Sequence, residues 1–134
     1  MKKEGNHTQK KEWVYRRGDI YLANLNPFRG SEQGGKRPVL VLQNNTGNFY
    51  GPTLIVAPMT TRTEKRRNLP VHYLIEEAKG LTEPSMVLLE QIKTIDKSRI
   101  LRYIGKVSSA QMRGVEDTIL VSLGLPMPEH AEAP

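Results

Sequence analysis

The chain has 134 residues, a formal net charge of +6 and no cysteine. That length suits one domain with a modest core, and the lack of thiols excludes disulfides, thiolate zinc sites and cysteine nucleophiles. No apolar stretch approaches the roughly 20 residues that span a bilayer and none near the N-terminus reads as a signal peptide, so a cytoplasmic protein without membrane contact is expected.

Residues 1–12 are polar, rich in lysine and without periodicity, and read as a disordered basic tail. Residues 126–134 hold three prolines and no apolar period, and read as a second disordered tail, leaving a folded domain over 13–125. The tails carry +2 and −2, so the whole +6 belongs to that domain. Positive charge on a folded body favours polyanionic partners such as nucleic acid, although ordinary basic proteins share it.

Within the domain, β-rich runs are predicted at 19–25, 37–44, 53–60, 69–76, 85–91 and 99–107, with turn residues between them such as Asn26-Pro27, Gly47-Asn48, Gly51-Pro52 and Lys79-Gly80. Closely spaced short strands predict a small antiparallel barrel or a strongly curved sheet, a mainly β (α+β) class. A short turn is expected over 94–98. One helix is predicted from Ser108, whose pairing with Gln111 has the capping-box pattern, to Leu123, where Gly124 and Pro126 stop it. Met112, Val115, Ile119 and Leu123 form its apolar face, which should pack on the sheet.

The loop at 30–38, Gly-Ser-Glu-Gln-Gly-Gly-Lys-Arg-Pro, leads directly into Val39-Leu40-Val41-Leu42. Gly30, Gly34 and Gly35 permit positive φ and close approach to a ligand. Pro38 biases Arg37 towards extended backbone, so a rigid strand mouth would present Arg37 under a flexible polar flap. A surface hairpin loop with incidental charges is the bland alternative, and the loop alone leaves both open.

Chemistry by side chain is restricted. His7 and His130 fall in the tails, so His72 is the one histidine of the domain, and a two-histidine ribonuclease mechanism is closed to a single chain. His72 sits in Val71-His72-Tyr73-Leu74 and reads as a satisfied strand histidine. No cluster has metal-ligand spacing and Gly34-Gly35-Lys36 lacks the surroundings of a P-loop, so no metal or other cofactor is expected. RNA, by contrast, carries its own nucleophile in the 2′-hydroxyl. An enzyme acting on it needs to align that hydroxyl and stabilise phosphate charge, for which arginine is well suited.

Four blocks in order, Arg16-Arg17-Gly18-Asp19-Ile20-Tyr21, the 30–38 loop, Pro58-Met59-Thr60-Thr61 and Leu88-Leu89-Glu90-Gln91-Ile92, closely resemble the MazF/PemK toxin family over roughly residues 16–125. The resemblance implies a small SH3-like, CcdB-like barrel with a C-terminal helix. It also implies a metal-independent, sequence-selective endoribonuclease, the toxin of a type II toxin–antitoxin system, that cleaves single-stranded mRNA. Arg37 and Thr60 match the family's catalytic pair, and Glu32 its flap glutamate, for proton transfer or base binding. Whether Arg37 moves a proton or only stabilises charge stays open, since arginine is a poor proton donor in water. Without the resemblance, Thr60 reads as a strand-end residue satisfying its own backbone, and Thr61 is its nearest rival.

RNA contacts are expected from Ser31, Glu32, Gln33 and Gln91, whose amide and carboxylate groups suit unstacked base edges, and from Arg62 and Lys65, suited to flanking phosphates or simply solvated. The expected assembly is a homodimer inhibited by an acidic, MazE-like antitoxin peptide. Asn44-Asn45, where relatives often carry Asn-Asp, and the longer N-terminal tail depart from the family pattern. Two further readings use the same kind of barrel: a non-catalytic gyrase poison like CcdB, and a plain nucleic-acid-binding barrel.

Overall fold

Apolar runs punctuated by turn residues become strands, several of them buried on both sides. The computed structural model describes residues 14–63 and 69–127. The two predicted tails lie largely, and Lys65 wholly, outside the described residues. In chain order the elements are β1 (Asp19–Asn24), β2 (Lys36–Val41), α1 (Asn45–Tyr50), β3 (Thr53–Thr60), β4 (His72–Ile75), β5 (Ser85–Leu88), β6 (Lys93–Asp96), β7 (Ile100–Lys106) and α2 (Ser109–Leu123). Two 3₁₀ turns, Leu89–Gln91 and Lys97–Arg99, flank β6.

The strands form one antiparallel path, β4-β5-β3-β2-β1-β7. β3 is shared: its start pairs with β6, as Leu54–Ile95 does, and its end pairs with β5, as Thr60–Met86 does. Neighbouring residues point to different cores. Ile20, Leu40, Ala57 and Met59 join the cluster beneath α2, whereas Tyr21, Val39, Val41 and Val56 join a second cluster on the other face. This explains why β2 and β3 read as unbroken apolar runs. Full burial of each such side chain is worth about 1.5–3 kcal/mol.

The mainly antiparallel β fold with a C-terminal helix is as expected, and of the two forms anticipated the sheet takes the open one and is not closed into a barrel. Its two ends meet at a single bridge, Lys79–Lys106, where the segment after β4 touches β7. Two glycines make this approach possible: a Cβ on Gly105 would lie 1.7 Å from the Lys79 carbonyl oxygen, and one on Gly80 1.9 Å from that of Ile104. No side chain fits between backbones that close.

Several boundaries differ from the prediction. The segment around Gly47-Asn48 is the helix α1 and not a simple turn. The Asn44 side chain accepts from Gly47 N, while the amide of buried Asn48 donates to the Gln43 carbonyl. Residues expected as a turn at 94–98 divide into β6 and a 3₁₀ turn, because Thr53–Val56 offer β6 a free edge. The strand expected over 85–91 ends at Leu88, and that over 69–76 shrinks to His72–Ile75.

α2 behaves as expected at both ends. Ser108 and Gln111 form the full capping box, and Gly124 takes φ 71° as its left-handed cap. Its stripe stops one turn early, since Met112 and Val115 are buried and Ile119 packs on the core, but Leu123 is 59% exposed. Gly114 lets the helix approach β4: a Cβ there would meet the Tyr73 ring at 2.3 Å.

Gly105→Ala should therefore destabilise the protein by about 2 kcal/mol or more, since backbone and not a flexible side chain must yield. Gly30→Ala, with open space around it but φ +57°, should cost about 1 kcal/mol. Urea denaturation of the two variants measures the difference, and equal midpoints would contradict the account of the seam.

Candidate active site

The 26–35 segment is a flap between β1 and β2, and its own polar groups pin it. Gly35 N donates to Asn26 Oδ1 at 2.9 Å, and Leu25 N donates to the Gly35 carbonyl at 2.9 Å. At its tip Arg29 N donates to Glu32 Oε1 at 2.7 Å, and Glu32 N returns a bond to the Arg29 carbonyl. On its flank Gln33 N donates to Gln91 Oε1 at 2.7 Å. The polar flap anticipated as flexible is thus held at four places. Positive φ falls at Gly30 and Gly35 but not at Gly34. Gly34 is there for space: the Phe28 ring lies where its Cβ would be, at 1.9 Å.

Arg37 lies in β2, half-buried, with Nε donating to the Gly34 carbonyl at 2.7 Å. That bond sets the plane of its guanidinium. Across the strands, β2 and β3 pair as Val39–Pro58, Leu40–Ala57 and Val41–Val56. The same register continued by two residues brings Arg37 level with Thr60. By strand alternation both then point to the face of Val39 and Val56. Thr60 is 6% exposed, and its Oγ1 accepts from Arg62 N at 3.1 Å. The strand-end reading of Thr60 therefore describes one of its bonds, yet the hydroxyl keeps a proton to donate. Thr61 is exposed.

Ser31, Glu32 and Gln91 come together in a groove of about 670 Å³ between the flap and the β5–β6 connection. Glu90, Ile92 and Lys93 complete its wall. Gln33 enters through its backbone bond to Gln91. Arg62 is exposed beside Thr60 and does not line this groove. Among the described residues no group of three or more His, Asp or Glu could hold a metal ion.

Three participants escaped the sequence reading. Glu90 and Lys93 bring charge into the groove, and Arg99 donates through Nη1 to the carbonyls of Asn24 and Asn26 at the root of the flap. The signal for Glu90 was its place beside Gln91. Arg99 carried no local signal, because its partners lie 73 and 75 residues away. His72 is the satisfied strand histidine expected: its side chain is 1% exposed and Nε2 lies 2.9 Å from Glu90 Oε2. Leaving such a buried group unpaired would cost about 1–3 kcal/mol. Asp96 caps the turn that carries Arg99, accepting from Ser98 N at 2.8 Å.

A family model described as PemK-like, MazF-like toxin of type II toxin–antitoxin systems matches residues 16–123. An Endoribonuclease MazF of Staphylococcus saprophyticus is 50% identical over 113 residues, covering 84% of this chain and 93% of that relative. Among solved structures, the Mycobacterium tuberculosis toxin MazF-mt6 is 26% identical with TM-score 0.69, covering 81% of this chain and 99% of its own. A mycobacterial endoribonuclease in complex with its cognate antitoxin is 25% identical with TM-score 0.67, covering 86% and 98%.

Asp96 supplies a pH test. Hydrogen bonds from the Ser98 side chain and backbone hold its carboxyl below the usual 3.8; desolvation opposes them, and the Arg99 charge adds the smallest contribution in their favour. A depressed carboxylate contributes stability that is present above its unfolded pKa and is lost as pH falls through the folded one. Asp96→Asn should therefore melt below the parent at pH 7, and the gap should close in strong acid. A gap independent of pH would rule out the ionised cap.

Proposed function

We infer the function of this chain from its family and the chemistry its site permits: it belongs to the PemK-like, MazF-like toxins of type II toxin–antitoxin systems, and it is an endoribonuclease. Its partner is an antitoxin. The substrate we assign is single-stranded mRNA in the cytoplasm. The observation that carries the active-site reading is the β2–β3 register, which draws a strand-mouth arginine and a strand-end threonine to the same level beside a pinned flap.

In this reading the 2′-oxygen attacks the neighbouring phosphorus and the bond to the 5′-oxygen breaks. The 2′-hydroxyl loses its proton and the leaving 5′-oxygen gains one. The products are a 2′,3′-cyclic phosphate, or the 3′-phosphate after hydrolysis, and a 5′-hydroxyl. Arg37 neutralises charge on the phosphoryl oxygens, where preorganised donors have their largest effect. Thr60 donates its hydroxyl proton to a phosphate oxygen or orients the 2′-hydroxyl. Glu32, held against the flap backbone, keeps a second carboxylate oxygen for a base edge or a proton. Ser31, Gln33 and Gln91 read unstacked bases, and Arg62 and Lys65 take flanking phosphates.

Incubation with single-stranded RNA in EDTA should give cleavage at discrete sites. Arg37→Ala should lose about 100-fold or more in rate while its circular dichroism stays native, the scale seen when one preorganised donor is removed. Thr60→Ala should be strongly impaired and Thr61→Ala much less. An RNA with deoxyribose at the scissile position should resist cleavage. Normal activity of folded Arg37→Ala would refute the assignment, and cleavage of the deoxy substrate would refute 2′-oxygen attack. Binding without any cleavage would favour a plain binding barrel, and gyrase poisoning the CcdB-like alternative.

The working unit in this reading is a homodimer, because a sheet this small presents limited surface for several nucleotides. The antitoxin segment is acidic and MazE-like, folding onto a basic body as it binds. It occludes Arg37 and Thr60 by contact or by displacing the 31–35 flap. Light scattering near 15.2 kDa at micromolar concentration would contradict the dimer. An inhibited complex that bound uncleavable RNA undiminished would contradict the occlusion.

A further inference from the structure

The root of the flap is held from behind. Ala23 of β1 pairs with Arg37 on one side and with Ile100 on the other, so the start of β7 stands directly across β1 from Arg37. Arg99, half-buried, immediately precedes Ile100. Its Nη1 donates at 3.0 Å to the Asn24 carbonyl, the last residue of β1, and also to the carbonyl of Asn26, the first residue of the flap. One amino group thereby bridges the two ends of the turn where strand becomes flap.

From that bridge the bonds run on to Arg37 without a break. Asn26 N donates to Asn24 Oδ1 at 3.0 Å, and Asn26 Oδ1 accepts from Gly35 N at 2.9 Å. Gly35 follows Gly34, whose carbonyl accepts from Arg37 Nε at 2.7 Å. Between the two arginine side chains every link is backbone or a short asparagine side chain, so little slack accumulates from the Arg99 bridge to the Gly34 carbonyl that Arg37 Nε meets.

We propose that Arg99 is a positioning residue of the active site: by bridging the carbonyls of Asn24 and Asn26 it fixes the flap root and, through Asn26, Gly35 and Gly34, the aim of the Arg37 guanidinium. The inference rests on Arg37 being the group that neutralises the phosphoryl charge. Arg99 itself touches no RNA in this scheme. Loss of the bridge acts on the chemical step because a small displacement of a catalytic charge reduces the rate far more than it reduces binding.

The experiment compares Arg99→Ala, Arg99→Lys and Arg37→Ala with the parent, in single-turnover cleavage at saturating RNA and in affinity for the deoxy-substituted RNA. Arg99→Ala should cleave about tenfold or more slowly. Its affinity for uncleavable RNA should stay within about twofold of the parent. Arg99→Lys, whose ammonium can also bridge two carbonyls, should recover most of the rate. The Arg37 Nε–H resonance should exchange with solvent faster in Arg99→Ala, which a purely stabilising role would not cause. Should Arg99→Ala fail to fold at assay temperature, Arg99→Gln takes its place in every measurement. A parental cleavage rate in the folded variant overturns the proposal, as does a loss confined to affinity, which would make Arg99 a phosphate contact. Those results beside an inactive Arg37→Ala leave the catalytic assignment standing. A fully active Arg37→Ala removes the assignment and the proposal together.

Discussion

The site depends on one row of the sheet, in which Ala23 of β1, an interior strand, is paired on both edges, with Arg37 of β2 and with Ile100 of β7. β1 is buried nearly throughout, so its position is fixed by packing and not by the flap it supports. Antiparallel pairing then places the mouth of β2 to within the tolerance of backbone hydrogen bonds.

Upon that rigid row the flap is a polar structure with almost no core of its own. Phe28 is 52% exposed and covers Gly34, and the remainder is held by hydrogen bonds from Asn26, Glu32, Gln91 and Arg99. Each such bond is worth about 0.5–1.5 kcal/mol net, so the flap is ordered by their sum and can be opened by a partner that replaces a few of them. This suits the proposed function, in which the site admits a chain of nucleotides and also yields to an inhibitor. Stability is kept elsewhere, in the two clusters on either face of the sheet and at the glycine seam between Lys79 and Lys106.

The charge of the groove runs against that of the whole protein. The body is basic, yet Glu32 and Glu90 line the space beside the flap, with Lys93 the cation among its lining residues. Carboxylates repel phosphates and accept from amino and imino groups of bases, so such a groove favours base edges over backbone. Under the proposed function, general affinity for RNA comes from cations around the groove, and selectivity from the acceptors within it. Glu90 is braced from below by the buried His72, which gives it a defined direction.

The residue sequence by itself determined the class of fold, the apolar strands, the capped helix α2 and the blocks that carry the family pattern, including Arg37, Thr60, Glu32 and Gln91. These rest on local physics: alternation, the Ser108–Gln111 box, glycine after a helix and proline after Arg37. Tertiary structure alone decided between a closed barrel and an open sheet with a seam, since the room for only a glycine at Gly105 depends on where Lys79 arrives from far along the chain. It also decided β6, which becomes a strand because β3 has an unfilled edge, and α1, which is held by buried Asn48. It decided too that Gln91 and Glu32 each spend one oxygen on the flap backbone, and that Arg99 stands behind Arg37 across β1. Contacts between residues tens of positions apart leave no periodic or local trace in a sequence, because they are set by the packing of whole strands.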